Sequence, residues 1–243
     1  GAGELVGISG PPDLLIAPPE GYESLGDPWL ITESDRIVLY VVGQEEVSDD
    51  RTLLRVSGSP GYGLTLGEPA VVDFPELGAT DAIDGVTVFL DEHGEHRMIA
   101  RVTRGGGASL VAFHSFDEWL TFEFEAGTLE SSRVHAPAPD DVFAIDRDEV
   151  ASPALLRVEG TWRLFFSARR GGRWSIGMLV SEDGTAWRPM GAVLSGSGSG
   201  FDALGVMHPA PFLTPAGVGL YFVASDGVVS VIGLAGPPGT LGE

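Results

Sequence analysis

Three runs decide the reading of this chain: Ser152-Pro-Ala-Leu-Leu-Arg-Val158, Thr161-Trp-Arg-Leu-Phe-Phe-Ser-Ala168 and Arg173-Trp-Ser-Ile-Gly-Met-Leu-Val-Ser181. Glu159-Gly160, Arg169-Arg170-Gly171-Gly172 and Glu182-Asp183-Gly184 punctuate them, and Trp187 to Leu194 closes the unit. Short runs rich in branched and aromatic residues, each stopped by Gly, Asp or Glu, predict a four-stranded antiparallel meander. One such sheet cannot bury both of its faces, so several must stack on one another.

Weaker copies surround this unit. First strands are predicted at 27–32, 84–90, 152–158 and 208–213, and second strands at 36–43, 95–103 and 219–224. Third strands are predicted at 4–9, 53–57, 109–115, 175–181 and 230–236, and fourth strands at 64–72 and 120–126. Unit starts near 27, 84, 152 and 208 are 57, 68 and 56 residues apart, a regularity that indicates blades of a β-propeller. Residues 130–141 and 195–200 read as blade linkers, so residues 1–243 form one all-β domain. The expected plan is five-bladed, with four clear units and a partial one. Residues 1–18 either pair with the unit starting at His208 or are what remains of another blade.

A hydrophobic fraction of 43% with 9% aromatics supplies a sizeable core, so global disorder is excluded. Acidic side chains number 35 and basic ones 14, all Arg, for a net charge of −21. Such a surface disfavours nucleic acid and anionic lipid as general partners. Cysteine is absent, which removes thiolate chemistry, disulfides and zinc–cysteine sites. No apolar run approaches the roughly 20 residues that span a bilayer, so no membrane insertion is expected. The chain opens Gly1-Ala2-Gly3-Glu4 without the basic segment of a signal sequence.

In a propeller the first strand of each blade lines the central channel. The dipeptides at those strands are Asp27-Pro28, Asp84-Gly85, Ser152-Pro153 and His208-Pro209, and proline at the start of an inner strand costs no ladder hydrogen bond. Gly105-Gly106-Gly107 follows Arg104 with no Lys-Ser/Thr after it, so it reads as a hairpin turn and not a phosphate loop.

Asp27-Pro-Trp-Leu-Ile31 followed by Arg36-Ile-Val-Leu-Tyr40 resembles the opening blade of glycoside hydrolase family 43. Ala82-Ile-Asp84-Gly-Val-Thr-Val-Phe-Leu90 resembles that family's second blade. Ile176 to Trp187 resembles a turn shared by the wider furanosidase-like superfamily of families 43 and 32, and also the outward-facing Asp-box turn of sialidases, read here as structural.

The resemblance implies three carboxylates: Asp27 as general base, Asp84 as the residue tuning the acid, and Glu149 as general acid. Inverting hydrolysis needs such a pair, one activating water and one protonating the leaving oxygen. Two departures stand out. The family's acid stands two residues before a proline, whereas Glu149 stands four before Pro153, and Asp84 precedes Gly85 where a proline is usual. Asp81, Asp146 and Asp148 compete for the same roles. Trp29, beside Asp27, is expected to stack on a sugar ring and His208 to face the ligand, while Trp162, Trp174 and Trp187 read as core between blades.

The implied function is an inverting, family-43-like glycosidase acting on a carbohydrate, extracellular or periplasmic. The alternative is a non-catalytic propeller binding a glycan or a protein partner at the same channel mouth. No cofactor and no catalytic metal are expected, with a structural calcium ion near the channel allowed for. The oligomeric state is left open.

Overall fold

The computed structural model describes residues 18–32, 36–48, 50–59, 65–117, 119–142 and 144–236. They form four antiparallel meanders in chain order. The first comprises β1 (Tyr22–Thr32), β2 (Ile37–Glu45), β3 (Arg51–Ser59) and the short β4 (Thr65–Leu66) and β5 (Ala70–Val71). The second comprises β6 (Ala82–Leu90), β7 (His96–Arg104), β8 (Gly107–Ser115), β9 (Glu123–Phe124) and β10 (Arg133–His135). The third is the reference unit: β11 (Glu149–Val158), β12 (Thr161–Arg170), β13 (Arg173–Ser181) and β14 (Arg188–Ser195). The fourth is β15 (Gly205–Thr214), β16 (Gly217–Ser225) and β17 (Ser230–Ala235). Among the described residues the one helical element is a 3-10 turn, Gly200–Asp202.

The predicted first strands are innermost, with β1 against β6, β6 against β11 and β11 against β15. Period-two alternation explains the packing of the sheets behind them. On β12, Trp162, Leu164, Phe166 and Ala168 face the second meander, while Phe165 faces the fourth. The even positions of this strand are apolar from Trp162 to Ala168, while among the odd ones Phe165 alone is apolar, flanked by Arg163 and Ser167. Tyr40, Met98, Phe113, Trp119 and Phe122 fill the layer between the first and second meanders. Besides the packing around Phe165, one parallel pairing, Trp174 to Gly205, joins the third and fourth meanders into one sheet. A Cβ at Gly205 would lie 1.9 Å from the Trp174 carbonyl oxygen, so only glycine permits this approach.

The outer strands depart from expectation. Of the expected strand 64–72, the described residues 65–72 hold two two-residue strands, because Gly67-Glu68-Pro69 interrupts the ladder and proline offers no N–H. Residues 120–126 hold only β9, since the Asp117 carboxylate accepts the Leu120 and Thr121 amides and keeps the chain in a turn. Within the expected linker 130–141, β10 pairs with β8. Residues 4–9 and their pairing with the last unit lie outside the described residues.

Candidate functional site

Every inner strand carries one extra residue at the same depth. The ladder shifts between Gly26 and Trp29, Asp84 and Val86, Ala151 and Ala154, and Met207 and Ala210. At these bulges Asp27, Gly85, Ser152 and His208 have left-handed φ of 47°, 63°, 47° and 52°. For a residue with a Cβ that conformation costs about 1–2 kcal/mol, so its recurrence in three units marks a held geometry. Pro28, Pro153 and Pro209 sit inside the bulges, where no ladder N–H is needed, and not at the strand starts where they were expected. This register also corrects the alignment of the second unit. Gly85 is the counterpart of Asp27, Ser152 and His208, whereas Asp84 matches Gly26, Ala151 and Met207.

Bulges re-aim side chains, and these four surround one cavity of about 350 Å³. Asp27, Asp84, Glu149 and His208 all line it, with Ser152, Trp174, Arg51 and Arg101. Four of the five residues singled out from sequence are therefore brought together. Two small links hold the inner wall: Ser167 Oγ accepts the His208 amide at 2.9 Å, and Ser152 Oγ lies 2.9 Å from Nδ1 of His208.

Trp29 is the exception. Its indole packs against the core between the first two meanders and donates to the Val88 carbonyl at 3.1 Å, so it does not line the cavity. It stands beyond the bulge, where Asp27 and Trp29 part ways. The aromatic in the cavity wall is Trp174, with the Arg169 guanidinium 5.4 Å from its ring centre. Trp162 and Trp187 pack in the core as expected.

The carboxylates differ in their surroundings. Arg101 donates from Nη1 to both oxygens of Asp84 at 2.6 Å, from Nη2 to Glu149 at 2.9 Å and from Nε to the Val150 carbonyl at 3.1 Å. Arg51 adds a 2.9 Å bond to Asp84, and Arg169 a 2.8 Å ion pair to Glu149. Among the described residues, no hydrogen bond or ion pair engages the Asp27 carboxylate. One carboxylate thus stands open to solvent and ligand while two are clamped by three arginines.

Cross-strand pairing builds the clamp. Asp84 sits opposite Arg101 on β6 and β7, and Glu149 opposite Arg169 on β11 and β12. The signal for it in the sequence is an acid and an arginine at facing positions of one hairpin.

The competing carboxylates are engaged elsewhere. Asp81 pairs with Arg104 at 2.6 Å, whose hydrogen bonds hold it below the usual carboxylate range. Asp146 is buried against His135. Asp148 accepts the Gly171 amide at 2.6 Å. No group of three or more His, Asp or Glu side chains that could hold a metal ion is assembled among the described residues.

Comparison with known proteins now adds the fold. No family model matches the sequence, and no curated protein does. Solved structures do match. A thermostable family-43 glycoside hydrolase superposes with a TM-score of 0.55 at 14% identity, over 86% of this chain and 88% of that one. An exo-1,5-α-L-arabinanase from a bovine ruminal metagenomic library gives 0.63 at 10% identity, over 88% and 75%. The α-L-arabinanase of Cellvibrio cellulosa gives 0.59 at 15% identity, over 88% and 74%. This chain has the β-propeller fold of the family-43 glycoside hydrolases.

On that fold the position two residues before Pro153 is Ala151, which lines the cavity. Glu149 lies on the same face of β11, two residues away, hence about 6.8 Å along the strand at the usual rise. The carboxylate still reaches the cavity, displaced one step toward the strand's start.

Proposed function

We propose that the central cavity binds a carbohydrate and hydrolyses a glycosidic bond with inversion, in a five-bladed propeller. Asp27 serves as general base, Glu149 as general acid, and Asp84 sets the field around Glu149. The observation that carries this reading is the convergence of all three carboxylates on one cavity, under four bulges that aim inner-strand residues at it. Trp174 offers a ring face to a sugar, and Ser152 and His208 offer hydrogen bonds. The fold shared with arabinanases supports a polysaccharide-derived ligand, met outside the cytoplasm.

A specific observation favours a second reading, that the site binds a glycan without cleaving it. Both oxygens of Glu149 are occupied by guanidinium donors, and Ala151 stands where the family pattern has its acid. A panel of aryl glycosides and of arabino- and xylo-oligosaccharides separates the two. Under the first reading wild type releases sugar of inverted configuration, observed by NMR. Asp27→Asn and Glu149→Gln then each lower kcat by roughly 10²–10⁴-fold. Oligosaccharide binding by calorimetry with no turnover across the panel selects the second reading and overturns the first.

A further inference from the structure

Arginine makes up 14 of 243 residues, about one in seventeen. A groove of about 690 Å³ between the second and third meanders is lined by seventeen residues, of which five are arginine. They are Arg101, Arg104, Arg133, Arg147 and Arg169, in a chain of net charge −21. Arg101 and Glu149 also line the central cavity, so groove and cavity adjoin at that ion pair.

The five arginines are not equally engaged. Arg101 and Arg169 belong to the clamp, and Arg104 pairs with Asp81. Among the described residues Arg133 has no ion pair or side-chain hydrogen bond. Arg147 only donates from Nε to the Pro139 carbonyl at 3.3 Å. Both are exposed. The acids of the lining are Glu130, Asp148 and Glu149, of which Glu149 is held by Arg101 and Arg169 and Asp148 by the Gly171 amide. Two guanidinium forks therefore face the groove with donors to spare. A guanidinium fork matches a carboxylate or sulfate with two parallel hydrogen bonds. The overall negative charge does not prevent this, because at physiological salt its field fades over about 8 Å.

We propose that this groove is an anionic subsite, and that the carbohydrate recognised by the protein carries an acidic substituent, a uronate carboxylate or a sulfate ester. The inference rests on the reading of the central cavity as a carbohydrate site and adds the ligand's charge to it. Arg133 and Arg147 are the specificity residues, one acidic group lying across them while the neighbouring sugar enters the cavity.

The test is calorimetric binding of tetragalacturonate, a sulfated tetrasaccharide, arabinotetraose and xylotetraose to the intact chain, with Arg133→Ala/Arg147→Ala and Arg133→Lys/Arg147→Lys variants checked for wild-type melting. Wild type should bind at least one acidic ligand about tenfold more tightly than the neutral ones, and the acidic arm that wins identifies the substituent. The alanine pair should remove that preference without changing neutral binding, and the lysine pair should restore part of it. Equal binding of acidic and neutral ligands, or an unchanged preference in the alanine pair, overturns the anionic subsite while leaving the carbohydrate reading intact. Binding of none of the four overturns both.

Discussion

The Ser181–Asp183 turn shows how single side chains hold an outer corner. Asp183 Oδ1 accepts the Ser181 hydroxyl and the Thr185 and Ala186 amides, while Ser181 Oγ accepts the Gly184 amide. Those amide bonds, with the hydroxyl, hold the Asp183 carboxyl far below its ordinary range. Ser115 and Asp117 repeat the motif after β8, with the Thr121 amide and hydroxyl on Asp117. A depressed carboxyl contributes stability that is complete above its unfolded value, about 3.9, and disappears as pH falls through the folded value. Asp183→Ala should therefore cost about 1 kcal/mol at pH 7, the scale of a net hydrogen bond. Thermal melts of wild type and variant should converge as pH falls from about 4 toward 2. A gap that stays constant over that range would show that the turn is held by shape and not by the charged carboxylate.

At the scale of elements, Arg101 is the pin between two sheets. It leaves β7, crosses its own partner Asp84 on β6, and reaches Glu149 and the Val150 carbonyl on β11. The Arg101 side chain is 17% exposed, and those of Asp84 and Glu149 are 11% and 21% exposed, so water screens the pairs only partly. Removing one member of a largely buried ion pair typically costs about 3–5 kcal/mol, and here Asp84 keeps Arg51 and Glu149 keeps Arg169, which holds the cost to the low end of that range. With this residual exposure, Arg101→Ala should lose about 3 kcal/mol in urea unfolding. A loss under about 1 kcal/mol, the range of surface pairs, would show that solvent screens the clamp.

For the whole molecule, charge sets the next test. A formal charge of −21 on 243 residues makes the folded state repel itself, and salt relieves that. Raising NaCl from about 0.01 M to 1 M shrinks the screening length from about 30 Å to 3 Å. The melting temperature should rise by about 2–4 °C for each kcal/mol of repulsion removed at this chain size. A falling melting temperature would mean that the ion pairs, above all the arginine clamp, outweigh the surface repulsion.

Strand order and the inner position of the first strands were legible in the sequence, because period-two burial and turn residues are local properties written into short runs. Asp27 and His208 were legible together for the same reason, since repeated units carry the same bulge position, whereas Asp84 and Glu149 stand outside that position and were expected at the cavity from the family resemblance. Other features needed the tertiary structure. The bulges shifted Asp84 out of register with Asp27 and left Trp29 in the core, because one extra residue in a strand reverses which face every later side chain takes. Trp174 and Arg51 entered the cavity from strands whose sequence shows only core or hairpin character. The pairing of Glu149 with Arg101 joins residues 48 apart on different sheets, and the Arg133–Arg147 groove is assembled between two meanders. Such contacts depend on how the sheets stack, and stacking is a property of packed layers that no single run of residues carries.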